Sequence, residues 1–151
     1  MIDYKENPLI AVIGLGYVGL PLAIEFNKKY DVIGFDSNHK RIEDLKIGKD
    51  KTNEFSKKEL SKAEGLTLSH SINDIRSANI YIITVPTPVD INNSPNLKPL
   101  KSATKSVSQF LTKGDVVIYE STVFPGCTEE ICVPILEEHS NLKYNIDFFC
   151  G

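Results

Sequence analysis

The sequence predicts an α/β fold in which helices cover both faces of a parallel sheet. Short apolar runs alternate with longer segments of helical periodicity, and several runs are almost continuously apolar, which is typical of strands buried on both faces. Right-handed crossovers through the intervening helices keep successive strands parallel. The length of 151 residues and the hydrophobic content of 41% predict a single domain with its own core.

Six apolar runs are predicted strands, and the helices between them place the sheet in the middle of three layers. We expect the doubly wound, Rossmann-type strand order 3-2-1-4-5-6, in which the winding direction reverses between the first and the fourth strands. Ligands bind at such a reversal, outside the carboxyl ends of the strands. The predicted strands cover residues 9–13, 31–36, 66–69, 80–85, 115–120 and 147–150.

Helices are predicted between the strands from apolar stripes and from residues that favour helix ends. Ser71 and Asp74 have the spacing of a capping box, and Pro99 suits a first helical turn. Pro134 falls inside the last predicted helix, where it removes a backbone hydrogen bond and predicts a kink. The predicted helices cover residues 18–29, 38–47, 56–63, a segment after Ser71, 99–111 and 128–138.

Three glycines lie directly between the first predicted strand and the helix that follows it. Gly14, Gly16 and Gly19 form a G-x-G-x-x-G motif, and its position between strand and helix is typical of dinucleotide binding. Gly14 allows a tight turn, Gly16 leaves no Cβ between backbone and pyrophosphate, and Gly19 lets the helix approach its strand. The helix N-terminus then provides an anion site. A glycine-rich turn that only joins two elements is the alternative.

The second predicted strand ends at Asp36, 17 residues after Gly19. A carboxylate there accepts hydrogen bonds from ribose hydroxyls and repels a 2′-phosphate, so it favours NAD over NADP. An aspartate that only caps the next helix is the alternative. Arg41 weakens the preference because arginine can hold a 2′-phosphate, and the sequence leaves open whether it contacts a ligand or is a solvated charge.

Two polar loops follow the fourth and fifth predicted strands. The prolines of VPTP, residues 85–88, predict a stiff, extended turn that holds the Thr87 hydroxyl beside the dinucleotide. The segment ESTVFPG, residues 120–126, places Ser121 and Thr122 near the nicotinamide half of the cleft. Bonds of either threonine to its own backbone are the alternative.

Composition argues against several other classes of function. The formal charge of -3 and the scattered lysines predict no nucleic-acid partner. No apolar run approaches the roughly 20 residues of a membrane span. The polar N-terminus MIDYKENP is unlike a signal peptide, so we expect a cytoplasmic protein that does not bind membranes.

The other reactive residue types carry weaker signals. Cys127, Cys132 and Cys150 lack metal-ligand spacing, so we expect reduced structural thiols and no metal. Cys127 precedes a predicted helix whose N-terminus would favour its thiolate, and Glu120 ends the fifth strand as a possible base, but both are minor candidates. The histidines are expected to be solvated; they are His39, His70 and His139.

Five motifs in order carry a resemblance to a known family. AVIGLGYVGLPLA, GFDSNHKRI, VPTPVD, YESTVFPGCTEE and DFFCG resemble the N-terminal NAD domain of the UDP-glucose/GDP-mannose dehydrogenase family, over essentially the whole chain. The third and fourth resemble its UDP-N-acetylhexosamine 6-dehydrogenase branch, which makes uronic acids for bacterial surface polysaccharides. The resemblance implies NAD contacts at Val18, Asp36, Arg41, Thr87 and Thr122, and a role of Thr122 in positioning a reacting water.

The resemblance also implies a longer parent protein. Family members continue into a dimerising helical region with a catalytic lysine and a second α/β domain that carries the cysteine nucleophile. Residues 1–151 are therefore expected to be the NAD-binding domain alone, inactive without the part that binds the UDP-sugar, from a parent that is a homodimer. The implied reaction oxidises a C6 alcohol to a carboxylate with two NAD. A regulatory NAD-binding module and a Rossmann dehydrogenase of another alcohol are the alternatives.

The motif, the strand tips and the two loops together define the expected site. Thr122 is the expected catalytic residue of this chain. The expected cofactor-binding residues are Gly14, Gly16, Tyr17, Val18, Gly19, Asp36, Arg41, Pro86, Thr87, Ser121 and Thr122.

Overall fold

The fold was analysed in a computed structural model that describes residues 8–89 and 95–151. In these two ranges six strands form one parallel sheet in the order β3-β2-β1-β4-β5-β6, which confirms the predicted order. Every strand lies within its predicted run. The strands are β1 (Leu9–Ile13), β2 (Asp31–Phe35), β3 (Thr67–Ser69), β4 (Ile80–Ile83), β5 (Val116–Tyr119) and β6 (Phe149–Cys150).

Helices connect the strands and cover the sheet. The α-helices are α1 (Gly19–Asn27), α2 (His39–Lys46), α3 (Lys57–Leu60), α4 (Lys98–Ser108) and α5 (Val133–Ser140). A 3₁₀ helix spans Ile72–Ser77 and a π-helical turn spans Thr128–Cys132. The N-terminal segment MIDYKEN and Asp90, the last residue of VPTPVD, lie outside the described residues.

One detail of the helix prediction is wrong, and the last predicted helix has two parts. Ser71 makes no side-chain cap within the described chain, and the Asp74 carboxylate instead accepts a hydrogen bond from the Ser69 hydroxyl, so no capping box forms. The predicted helix over 128–138 is divided into the π-helical turn and α5. Pro134 lies in the first turn of α5, directly after the π-helical turn, and the backbone is helical throughout from Thr128 to Ser140, so the expected kink at Pro134 stays a prediction.

The buried residues form two hydrophobic clusters within the described chain, one on each face of the sheet. Ala11 and Ile13 of β1 belong to the cluster that includes α4 and α5, whereas Ile10 and Val12 belong to the cluster with α1 and α2. Alternate side chains of a strand point to opposite faces, so β1 is buried on both. The three-layer arrangement is thus confirmed. In the described ranges no helix has the length and apolar character that crossing a membrane requires.

Candidate functional site

A cleft of about 790 Å³ opens at the carboxyl ends of the central strands. Strand β1 has β2 on one side and β4 on the other, so the winding reverses here, where this fold class binds ligands. The walls are the turn after β1, the start of α2, the loops after β4 and β5, and one face of α4. Gly19 lies behind the turn, and the other expected cofactor-binding residues line the cleft: Gly14, Gly16, Tyr17, Val18, Asp36, Arg41, Pro86, Thr87, Ser121 and Thr122.

The three glycines meet three different local requirements. Gly14 has a φ of +97°, which side-chain-bearing residues rarely adopt. A Cβ at Gly16 would meet no heavy atom of the described residues within 4 Å, so this position faces open space beside the cleft. A Cβ at Gly19 would lie 1.8 Å from the Gly14 carbonyl oxygen and 2.4 Å from Thr84 Oγ1. Gly19 thus permits close approach to the glycine turn and to Thr84, the residue that follows β4.

Thr84 holds the glycine turn in place, and sequence reasoning did not single it out. Its hydroxyl is the donor toward two carbonyl oxygens, that of Gly14 over 2.6 Å and that of Ile13 over 3.0 Å. Thr84 is buried. A hydroxyl directly after an apolar strand needs an internal partner when it is buried, and that requirement was the available signal.

The N-terminus of α1 differs from those of the next two helices. Its N-cap is Val18, whose aliphatic side chain cannot accept a hydrogen bond. By contrast, Asn38 caps α2, and Ser56 with Glu59 forms a capping box at α3. The first N–H groups of a helix have no intrahelical acceptor and carry a partial positive charge. In α1 the Leu20 N–H donates to the Gly16 carbonyl over 3.2 Å, and residues 16–18, which precede the helix, line the cleft, an arrangement suited to an anion.

Asp36 lies at the tip of β2 and accepts two backbone hydrogen bonds. Its carboxylate oxygens lie 2.9 Å from the N of Leu15 and 2.9 Å from the N of Asn38. The residue that caps α2 is Asn38, so the alternative that Asp36 serves only as that cap is wrong. Asp36 joins the glycine turn to the end of β2 and places a carboxylate at the wall of the cleft.

Arg41 is buried, with 7% of its surface exposed, so the alternative of a solvated charge is wrong. Its Nε donates to the Leu15 carbonyl over 2.9 Å, and its Nη1 donates to Asp50 Oδ1 over 2.7 Å. The Leu15 N–H therefore donates to Asp36, and the Leu15 carbonyl oxygen accepts from Arg41. Arg41 lines the cleft while it fastens the glycine turn to the segment after α2.

Asp50 is a buried partner of Arg41 that sequence reasoning missed. Besides Arg41, it accepts hydrogen bonds from Thr52 and from the backbone N–H groups of Glu54 and Phe55. Burial opposes its ionisation, but the bonds from Thr52, Arg41 and Phe55 outweigh that cost and lower its pKa to about 2. Asp50 is thus fully charged near neutral pH. Its sequence context, GKDKT, carries no motif that would have identified it.

The hydroxyls of the two later loops tie those loops together. Thr87 donates to the Thr122 carbonyl over 2.6 Å, and Ser121 donates to the Val85 carbonyl over 2.7 Å. The alternative that Thr87 bonds its own backbone is therefore wrong. Thr122 itself is exposed at the cleft, which Pro86 also lines.

The thiols have the environment of structural residues. All three lie in the described part of the chain and are free. Cys127 is fully buried, and burial raises its pKa, so the idea of a favoured thiolate there is wrong. Burial likewise raises the pKa of Cys132 to about 11 and that of Cys150 to about 12.

The remaining candidates are distributed over the surface. Glu120 is exposed and lines the cleft. His39 and His70 are exposed, as expected, with ring centroids 4.3 Å apart. His139 is only half-exposed and its Nδ1 is buried, so the expectation of a solvated ring is wrong there. In the ranges that the structure describes, no three or more histidine, cysteine, aspartate or glutamate side chains are grouped so that they could hold a metal ion.

Comparison with known proteins now identifies the family. Residues 8–150 match the family model described as UDP-glucose/GDP-mannose dehydrogenase family, NAD binding domain. The chain belongs to this family. It is 53% identical over 142 residues to UDP-N-acetyl-D-glucosamine 6-dehydrogenase of Pseudomonas aeruginosa. The matched region covers 94% of this chain and 34% of that protein. It is 48% identical to Protein CapL of Staphylococcus aureus, over 96% of this chain and 34% of that protein.

Solved structures agree with this placement in the family. The UDP-D-ManNAc dehydrogenase of Pyrococcus horikoshii superposes with a TM-score of 0.88 at 34% identity, over 94% of this chain and 35% of that one. A GDP-mannose dehydrogenase from Pseudomonas aeruginosa has the same fold, with a TM-score of 0.86 at 23% identity, over 93% of this chain and 34% of that one. The chain is thus a Rossmann-type NAD-binding domain, and it spans about a third of the length of the relatives it matches.

Proposed function

We propose that this chain is the cofactor domain of an NAD-dependent dehydrogenase that oxidises the C6 alcohol of a UDP-N-acetylhexosamine to the uronic acid, using two NAD, for bacterial surface polysaccharide synthesis. The observation that carries the proposal is the cleft at the reversal point, where the open face of Gly16 adjoins the uncapped N-terminus of α1. The 53% identity to a UDP-N-acetyl-D-glucosamine 6-dehydrogenase supports the substrate class.

The residues of the cleft fit a dinucleotide from one end to the other. Gly16, Tyr17 and Val18, followed by the first turn of α1, would hold the pyrophosphate. The Asp36 carboxylate would accept hydrogen bonds from the adenosine ribose. The loops that carry Thr87, Ser121 and Thr122 would border the nicotinamide, which, when bound, supplies a hydride acceptor.

The chain's own contribution to the reaction is to bind and orient the cofactor. The glycine turn is fixed by Thr84, and the two later loops are fixed by their mutual hydrogen bonds, so the walls are preorganised. Thr122 would help to position a water at the exposed edge of the cleft. We assign the UDP-sugar site and the dimer contacts of the parent protein to segments outside this chain. Those segments would correspond to the remaining length of its relatives. The free thiols fit a reducing compartment such as the cytosol.

Calorimetry with NAD and NADP tests the cofactor assignment. We expect measurable NAD binding and much weaker NADP binding, because the Asp36 carboxylate would face the additional phosphate. Asp36→Asn should narrow the difference while retaining an oxygen that can accept one of the two backbone hydrogen bonds. Equal affinities for the two dinucleotides in the unsubstituted chain would contradict the role of Asp36.

A second measurement tests the division of labour between this chain and the rest of the parent. The chain alone should produce no NADH from UDP-N-acetylglucosamine, UDP-N-acetylgalactosamine or UDP-glucose, because hydride transfer requires a sugar held against the nicotinamide and a partner base. Absorbance of NADH is the readout, with Thr122→Ala as the control. Substrate-dependent turnover above that control would show that the catalytic groups are misassigned, and Glu120 would then be the first residue to replace.

A further inference from the structure

Two cationic side chains line the cleft at its Asp36 end, and the fold pairs each with a carboxylate of its own. Arg41 Nη1 lies 2.7 Å from Asp50 Oδ1, and Lys51 Nζ lies 3.3 Å from Asp44 Oδ2. We call these four residues, Arg41, Asp44, Asp50 and Lys51, the α2 wall. The pairing decides what the wall presents to a ligand.

The first pair is closed to solvent. The Arg41 side chain is 8% exposed and that of Asp50 is 0% exposed, so water screens their attraction weakly. Arg41 also gives its Nε to the Leu15 carbonyl. A guanidinium binds phosphate best when two neighbouring nitrogens donate in parallel. In Arg41 each of the two parallel-donor edges, Nε with Nη2 and Nη1 with Nη2, has one nitrogen already bonded within the protein, while the buried Nη2 has no hydrogen-bond partner in the described part of the chain.

The second ion pair is more exposed to solvent, but it likewise joins a cationic side chain of the cleft to a carboxylate. The Lys51 side chain is 49% exposed, whereas that of Asp44 is only 10% exposed. Asp44 thus places a nearly buried carboxylate beside an ammonium that lines the cleft. Together with Asp36, the α2 wall contains three carboxylates and two cationic side chains, so the summed formal charge of these five residues is negative; Asp36, Arg41 and Lys51 are the three that line the cleft.

We propose that Asp44 and Asp50 determine cofactor specificity as positioning residues, by neutralising Lys51 and Arg41 so that neither attracts a 2′-phosphate. Discrimination against NADP then depends on three carboxylates rather than on Asp36 alone. This inference rests on the proposed function, since it requires the adenosine ribose to lie at the Asp36 end of the cleft.

The two carboxylates offer variants of different severity. Asp50 orders the segment after α2 through its bonds to Thr52, Glu54 and Phe55, so Asp50→Asn changes the local backbone as well as the charge. The Asp44 side chain contacts Lys51 by an ion pair, and Asp44→Asn removes that charge with no change in shape. Asp147→Asn is the matched control. It removes the same charge from the Lys113–Asp147 pair, which adjoins the amino end of β6, the edge strand farthest from β3, and neither residue lines the cleft.

The experiment measures binding of two pairs of ligands that differ by a 2′-phosphate: NAD with NADP, and 5′-AMP with adenosine 2′,5′-bisphosphate. Calorimetry is performed on the unsubstituted chain, both single variants, the double variant Asp44→Asn/Asp50→Asn and the control. We expect the affinity ratio of the phosphorylated to the unphosphorylated ligand to rise about tenfold in the double variant and less in each single variant. Asp147→Asn should leave the ratio unchanged, and added salt should reduce the rise.

The ratio separates specificity from stability, because loss of folded protein affects both ligands of a pair equally. An unchanged ratio in the double variant, with NAD still bound, would overturn this inference and leave the proposed function intact. An equal rise in Asp147→Asn would also overturn it, because net charge would then explain the effect. Failure of the unsubstituted chain to bind NAD and 5′-AMP would overturn the proposed function itself. If the variants with Asp50→Asn do not fold, Asp44→Asn alone decides.

Discussion

The glycine turn, residues 14–19, and the α2 wall border the same cleft from neighbouring strands, but they are built in opposite ways. The turn presents bare backbone, with open space at Gly16 and an uncapped helix behind Val18. The wall presents charged side chains that already have partners within the protein, beside a helix that Asn38 caps. Binding an anion needs free donors, whereas excluding one needs fixed negative charge, and the difference between the two regions meets both needs.

One residue connects the two regions. The N–H of Leu15, in the glycine turn, donates to Asp36, and its carbonyl accepts from Arg41. The position of the turn therefore depends on Arg41, which belongs to the α2 wall, and on Asp36 at the tip of β2. Substitutions in the glycine turn and in the α2 wall, the two regions that Leu15 connects, can be compared for their effects on folding and on ligand binding.

The largest effect is expected at the closest contact in the turn. Gly19→Ala places a methyl group where the Gly14 carbonyl oxygen is only 1.8 Å away, so α1 must move away from the turn. We expect the free energy of unfolding to fall by about 3 kcal/mol or more, although alanine has the higher helix propensity. Urea unfolding measures the change. A stability equal to that of the unsubstituted chain would mean that α1 does not pack here as described.

The next effect concerns the wall and is seen in acid. The pKa of Asp50 is about 2 in the fold and 3.8 for the unperturbed group, so its ionisation stabilises the fold by about 2 kcal/mol above pH 4. That contribution should disappear as the pH falls from about 4 to about 2, because protonation of Asp50 weakens the hydrogen bonds that its carboxylate accepts in the native fold. Urea unfolding of the unsubstituted chain and of Asp50→Asn between pH 7 and pH 2.5 should give stability curves that converge in acid. Parallel curves would contradict the charged role of Asp50.

The smallest effect on folding, with a clear effect on binding, is expected at Gly16. Its φ lies outside the left-handed region and a Cβ meets no described atom within 4 Å, so Gly16→Ala should change the free energy of unfolding by less than about 1 kcal/mol. Affinity for NAD should fall about tenfold or more, because the methyl group occupies the space proposed for the pyrophosphate. Normal NAD binding by a destabilised variant would make Gly16 a structural glycine. Gly19→Ala, with the same chemical change, is the matched comparison.

The sequence by itself determined the strand order, the place of the cleft and the glycine turn with Asp36 beside it. These features depend on local signals: the apolar runs form strands wherever helices can cover both faces, and the spacing of the glycines is tied to one strand–turn–helix connection. The ends of the elements were less predictable. The 3₁₀ helix after Ser71 and the π-helical turn before Pro134 depend on how neighbouring segments pack, which periodicity does not contain.

Tertiary structure alone decided how the predicted residues are used. The sequence left Arg41 between ligand contact and solvated charge, and only the fold places it against Leu15 and Asp50. Thr84 lies 70 residues from the Gly14 carbonyl it holds, and Thr87 lies 35 residues from the Thr122 carbonyl it binds. Such pairs have no sequence periodicity because they form where strand ends converge. Their energies arise from burial and from hydrogen-bond geometry, which exist only once the sheet has assembled.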